Sequence, residues 1–128
     1  MQKLRFESSW DKTISTKDRN QIEQVFSDTQ CAVNEPIYFS SLWQAINHKN
    51  QLLVTVLIHN TSQKNLSFQN TKMRYLENNE IVVEYSFTLP LLFVEPHTSM
   101  PWTFIFPVES LCHKPKLKNG KLDIVYKL

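Results

Sequence analysis

Glycine is almost missing from this chain: of 128 residues only Gly120 is glycine. A Walker loop, a dinucleotide-binding fingerprint and a G-x-S-x-G nucleophile elbow each need more than one glycine, for tight turns or for close approach of backbone to phosphate. All are excluded. Cysteine is scarce as well. Cys31 and Cys112 stand far apart and form neither a disulfide framework nor a zinc-ligand pattern, so two reduced, inert thiols packing as small hydrophobes are expected. No apolar run approaches the ~20 residues of a membrane-spanning helix; the longest is Leu52–Ile58, with Thr55 inside it. The opening "MQKLRFESSWDKT" lacks the apolar core and small-residue cleavage site of a secretory signal, and the chain is expected to be cytoplasmic and soluble. Charge of one sign is also missing. The formal net charge is +2, and that balance calls for neither nucleic acid nor an anionic membrane.

What is present suffices for a core. Hydrophobic residues make up 41% and aromatics 12% of the chain, and a domain of this size buries roughly two thirds of the surface its unfolded form exposes. One domain over 1–128 is expected, with an N-terminal segment over 1–30 and a sheet region over 36–128. The first residues read as a loose segment holding Leu4, Phe6 and Trp10. In "STKDRNQIEQVFSD", Ser15 or Thr16 can cap a helix, Asp18 suits its first turn, and Ile22, Val25 and Phe26 recur at helical spacing. The pattern predicts one short helix from about 17 to 28.

From Ile37 onward the period changes to two. Ile37 and Phe39 alternate in a first strand, and Trp43 to Ile46 form a second strand or its continuation. "QLLVTVLIHN" is apolar on both faces, as a central strand covered on both sides would be. In "IVVEYSF", Ile81, Val83, Tyr85 and Phe87 share one face and Glu84 and Ser86 the other. Asn119-Gly120 is a two-residue hairpin signal leading into "KLDIVYKL", with Leu122, Ile124, Tyr126 and Leu128 inward and Lys121, Asp123 and Lys127 outward. Short strands with polar turns predict an all-β, immunoglobulin-like antiparallel sandwich of about seven strands with one N-terminal helix.

The stretch "PHTSMPWTFIFP" concentrates large rings between prolines. Pro96 and Pro101 supply no backbone donor, so the stretch is read as entering a strand rather than continuing one. Period two then puts Trp102, Phe104 and Phe106 on one face and Thr103 and Ile105 on the other. Three rings on one face anchor a sheet-to-sheet core, at about 1.5–3 kcal/mol for each ring buried. Trp102, whose indole N–H needs a partner, is the ring expected nearest the surface.

Candidate chemistry is thin. His48, His59, His97 and His113 are not spaced from one another or from a cysteine as metal ligands are, and they read as loop or strand-end residues. His97 lies two residues from Ser99, but a nucleophile also needs a base and an oriented oxyanion site. The loop "HKPKLKNGK" carries Lys114, Lys116, Lys118 and Lys121 without interleaved aromatics, which reads as a solvated loop; contact with phosphate backbones is the alternative.

Several segments resemble one family. Trp10 with "WDKTISTKDRNQIEQVF", the "QAI" turn, "VLIHN" with its strand-ending Asn60, and "SMPWTFIFP" are similar to the S-layer assembly protein (SLAP) domain of Firmicutes, over residues 4 to 126. The resemblance implies a helical segment followed by a sandwich-like run, and a module linked to the accessory Sec route that exports S-layer proteins. It implies action through protein contacts, with no catalytic centre.

The reading is therefore a non-catalytic protein-interaction module, with no cofactor and no metal, whose partner is another protein or a second copy. Contact positions are expected where polar groups stand beside large rings: His97, Ser99, Met100 and Trp102 in one loop, and Trp43, Gln44 and Asn47 near another. The alternatives are a small enzyme assembled from scattered histidines and carboxylates, and a weak nucleic-acid binder acting through the Lys114–Lys121 loop.

Overall fold

The computed structural model describes residues 2–29 and 35–125. Cys31, and the alternation expected at Tyr126, Lys127 and Leu128, lie outside the described residues. The N-terminal segment is ordered rather than loose. It holds a short strand β1 (Lys3–Leu4), a helix α1 (Ser8–Thr13) and the expected helix as α2 (Thr16–Asp28). Glu7 caps α1, its carboxylate accepting the N–H groups of Ser9 (2.8 Å) and Trp10 (3.4 Å). Ser15 caps α2, its Oγ accepting the N–H of Asp18 at 3.0 Å. Arg19 ties the two helices, with a 2.8 Å ion pair to Asp11 and its guanidinium 4.6 Å over the Phe6 ring.

The remaining strands are β2 (Ile37–Ile46), β3 (Leu52–Asn60), β4 (Leu66–Glu77), β5 (Glu80–Val94), β6 (Thr98–Phe106) and β7 (Gly120–Ile124), with a 3-10 turn at Val108–Ser110. They form two sheets, of order β1-β6-β3-β2 and β5-β4-β7. Every pairing is antiparallel except β1 with β6. The chain crosses from the β2–β3 hairpin to the β4–β5 hairpin and returns to lay β6 beside β3. This Greek-key path makes the expected immunoglobulin-like all-β sandwich.

Alternation assigns the faces. In β6, Phe104 and Phe106 turn inward with Val54 and Leu52 of β3, all fully buried or nearly so. Phe104 is the hub, with ring centroids of Phe87 at 5.3 Å, Phe68 at 5.5 Å and Phe39 at 6.4 Å. The outer face of β3 is covered too, because α2 packs over β2 and β3 and buries Ile22. Every residue from Val54 to Asn60 is buried, as its two apolar faces require. On β4 the outward residues Lys72 and Arg74 alternate with buried Met73 and Tyr75, so the second sheet keeps a solvated face.

Two expectations are corrected. The four residues Ile81, Val83, Tyr85 and Phe87 do not share a buried face. A register shift between Tyr75 and Leu76 leaves Val82 and Val83 both buried and turns Ile81 outward, 40% exposed. Tyr85 reaches only the rim, edge-on to Phe87. Asn119-Gly120 is not a hairpin turn either. No strand lies immediately before it, and β7 pairs with β4. Asn119 takes the left-handed conformation (φ 53°) while Gly120 does not. Glycine stands there for space: a Cβ would lie 2.6 Å from Cε1 and 2.7 Å from Cζ of Tyr75.

Two outcomes follow for chemical denaturation. Phe104→Ala is expected to cost about 3–5 kcal/mol, because an emptied ring site between two sheets cannot collapse. Gly120→Ala is expected to cost about 1–3 kcal/mol by overpacking against Tyr75; a variant as stable as the native chain would show that Tyr75 has room to move.

Candidate interaction site

The sandwich has two seams where the rims of its sheets approach. At the β2–β7 seam Ser41 Oγ donates to the Gly120 carbonyl at 3.1 Å and draws the rims together. The β5–β6 seam is open. Among the described residues, β6 is paired on its far side from β3 only at Thr98 and Ser99, by β1. There the N–H groups of Lys3 and Arg5 donate to the carbonyls of His97 and Ser99, each at 2.9 Å. Alternation along β6 then aims the backbone groups of residues 97, 99, 101, 103 and 105 away from β3. This corrects the expectation that proline marks the entry to the strand. Pro101 lies inside β6, and its missing N–H faces the edge, so no bond to β3 is lost.

Beyond Pro101, Thr103 and Ile105 present N–H and C=O to the seam, and no described strand pairs with them. Across the seam, among the described residues, β5 pairs with β4 alone from Glu84 onward. Its earlier part is covered, with the Cys112 N–H donating to Val82 C=O at 2.8 Å and Val83 bridging Leu111. Between the rims lies a groove of about 530 Å³, lined by Tyr85, Phe87, Leu89, Trp102, Thr103 and Ile105 among others. None of its lining residues is charged. Ile105 is 47% exposed at one lip, and Leu91 on β5 is 80% exposed, with Phe93 also exposed.

The residues expected to make contacts are not brought together. Ser99, Met100 and Trp102 belong to β6 and Trp43 and Gln44 to β2, not to loops. Pairing with β3 puts Trp102 and Gln44 on the inner face and Trp43 and Ser99 on the outer one. Met100 and Trp102 are half-buried against the core. His97 holds a left-handed turn (φ 56°) and its carbonyl accepts the Lys3 N–H. Asn47 is consumed by the β2–β3 turn: its Nδ2 donates to Gln51 Oε1 at 2.8 Å and its Oδ1 accepts the N–H groups of Lys49 and Gln51 at 3.0 Å. Trp43 borders a separate hollow beside Trp10 and Ile14. Of the seven, only Trp102 lines the seam. Tyr85, Leu89 and Ile105 carry no signal of their own in the sequence, because their exposure depends on which strands remain unpaired.

Ser99 has a different role. Its fully buried Oγ lies 2.7 Å from His59 Nδ1, while Ser40 Oγ lies 2.9 Å from His59 Nε2. Gln2 Nε2 donates to Ser99 Oγ (3.1 Å) and to the Asn60 carbonyl (3.2 Å). The Tyr38 ring stacks on the imidazole with centroids 4.4 Å apart. His59, one residue from the end of β3, is thus a wholly buried junction of β2, β3, β6 and the N-terminus. Neighbouring Asn60 extends the junction, its Nδ2 donating to the carbonyls of Lys64, Val94 and Glu95. Among the described residues, no group of three or more His, Cys, Asp or Glu is placed to hold a metal ion. Nor is any helix among them long and apolar enough to cross a membrane.

Burial pushes the His59 pKa down from 6.5 to about 4. The unfolded chain therefore binds the proton first, and folding stability is expected to fall as pH drops from about 6.5 to about 4 and to level off below. The loss is of the order of 3 kcal/mol. Urea melts across that range check it, and His59→Gln, which removes the titrating ring, is expected to flatten the slope; an unchanged slope in that variant would assign the pH dependence elsewhere.

No curated protein and no solved structure matches the chain. The family model described as the SLAP domain matches residues 4–127, which takes in α2, the His59–Asn60 junction and both rims of the open seam, and the chain belongs to the SLAP domain family.

Proposed function

We propose that this SLAP domain is a non-catalytic protein-interaction module serving S-layer protein export or cell-envelope assembly through the accessory Sec route, and that it meets its partner at the open β5–β6 seam. The family's link to accessory Sec supports the setting. The observation that carries the reading is the seam itself: an uncharged groove between two sheet edges, with large apolar side chains exposed at its lips and along β5. A groove with large apolar side chains exposed at its rim is the kind of surface at which proteins make contact. The non-catalytic part is supported by His59, whose two ring nitrogens are both engaged by buried or half-buried serines. Action in the cytoplasm is supported by Cys112, an exposed free thiol of the kind a reducing compartment preserves.

Charging both lips tests the reading. Tyr85→Lys with Ile105→Lys changes two exposed side chains, and the fold is expected to melt within a few degrees of the native chain. Quantitative affinity recovery from the native host should then lose the principal partner by about tenfold or more, corresponding to ~1.4 kcal/mol of binding. Equal recovery by a folded double variant would remove the seam as the contact surface.

A further inference from the structure

We infer that the seam accepts an extended polypeptide segment as an added strand on the free edge of β6, continuing the line that β1 begins; this deepens, and rests on, the reading of the seam as the contact surface. The edge already pairs this way within the chain, since β1 lies parallel on Thr98 and Ser99. Parallel pairing demands that a residue whose N–H donates to one carbonyl have its own carbonyl accept an N–H two residues further along the neighbour. Arg5 N–H donates to Ser99 C=O, so the next donor required is the N–H of residue 101. That residue is proline and has none. The ladder breaks at that point and the chain leaves β6 for α1.

Pro101 therefore divides one edge into an occupied part and a vacant part. The vacant part, from Trp102 to Phe106, spans about 16 Å of strand at ~3.3 Å per residue, room for a guest of about five residues. It offers both backbone groups of Thr103 and of Ile105, whereas Pro101 itself is buried. Guest side chains in phase with Trp102 and Phe104 would point into the groove against Phe87 and Leu89 and must be apolar; the alternate ones, in phase with Thr103, face outward. With no charged residue in the lining, the groove selects for alternating apolar and small polar residues and offers nothing to a phosphate or a lipid headgroup. Strand addition of this type draws affinity from the main chain and specificity from alternate side chains.

The probe is a synthetic octapeptide alternating valine and threonine between terminal lysines, added to the ¹⁵N-labelled full chain. Expected are chemical-shift changes confined to β6 and the facing part of β5, with hydrogen exchange at the Thr103 and Ile105 amides slowed about tenfold or more. The same peptide N-methylated at alternate residues should not bind, and Thr103→Pro, which removes one edge donor, should abolish binding; where that variant fails to fold, the methylated peptide alone decides. No shifts at millimolar peptide, undiminished binding after methylation, or shifts centred on the Lys114–Lys121 loop would each overturn strand addition. A second copy as occupant would show as concentration-dependent protection of the same amides without peptide, which also overturns it. Partner recovery separates the two readings: recovery lost in Tyr85→Lys/Ile105→Lys but kept in folded Thr103→Pro refutes strand addition alone, whereas recovery kept in both refutes the seam.

Discussion

The rings that meet at Phe104 fix the rest of the structure. Packing Phe39, Phe68 and Phe87 around one ring joins the two sheets where side-chain volume is greatest. Each buried ring contributes about 1.5–3 kcal/mol, and edge-to-face pairs add roughly 0.5–1.5 kcal/mol. A one-residue slip of β6 would exchange its faces, sending Thr103 and Ile105 inward and Phe104 and Phe106 into solvent. With that register set, Ser99 must face outward, where it meets His59, and the backbone of Thr103 and Ile105 must face the seam. The buried junction and the open edge follow from one packing decision.

The outer face of the first sheet is divided by the same register. At one end His59 and Ser99 are polar yet buried; Ser40 and Gln2 complete the hydrogen bonds of this pair, and α2 packs over β2 and β3. A buried polar cluster is tolerable only when its partners are supplied, so the N-terminal segment is part of the fold rather than an appendage. In the middle, the hydroxyls of Thr55 and Thr103 satisfy each other at 2.7 Å. At the far end Leu53, Ala45 and Ile105 share a row, with Ile105 left exposed. The cover runs out on the side where the β6 edge becomes free.

How much of this the sequence disclosed depends on the range of the interaction involved. The alternation of Trp102, Phe104 and Phe106, the two-faced apolarity of "QLLVTVLIHN" and the Ser15 cap of α2 are local patterns, and each was legible. The family was legible too, and its "VLIHN" and "SMPWTFIFP" segments meet in space at the His59–Ser99 junction. Phase was lost where the chain inserts an extra residue, at Ser41/Trp43 in β2 and opposite Tyr75/Leu76 in β5, because a bulge leaves no periodic trace. The residues expected to make contacts are dispersed for a related reason. Ser99 and Trp102 adjoin in sequence but face opposite sides of one strand, and an edge is free only by virtue of what does not pair with it.

The near absence of glycine, which at first only excludes functions, becomes intelligible in the turns. Among the described residues seven non-glycine residues take positive φ, and five of them are asparagine: Asn50, Asn70, Asn78, Asn79 and Asn119. Asparagine tolerates the left-handed region better than other residues with a Cβ and adds side-chain bonds, as when Asn119 Nδ2 donates to Asn78 Oδ1 at 2.9 Å. Leu117 (φ 63°) has no such tolerance. Its conformation is held from outside: the buried Glu77 carboxylate accepts the N–H groups of Lys116 (2.8 Å) and Leu117 (2.7 Å) and the Tyr75 hydroxyl (3.0 Å), while the Leu117 side chain packs on the core. Strained residues persist where their surroundings over-determine them. Burial and the Glu77 carboxylate also hold the Tyr75 phenol above its ordinary pKa, so the phenol remains a donor to that carboxylate. One carboxylate thus fixes the path of the loop bearing Lys114, Lys116 and Lys118 and presses Tyr75 against Gly120, the position at which the chain keeps its single glycine.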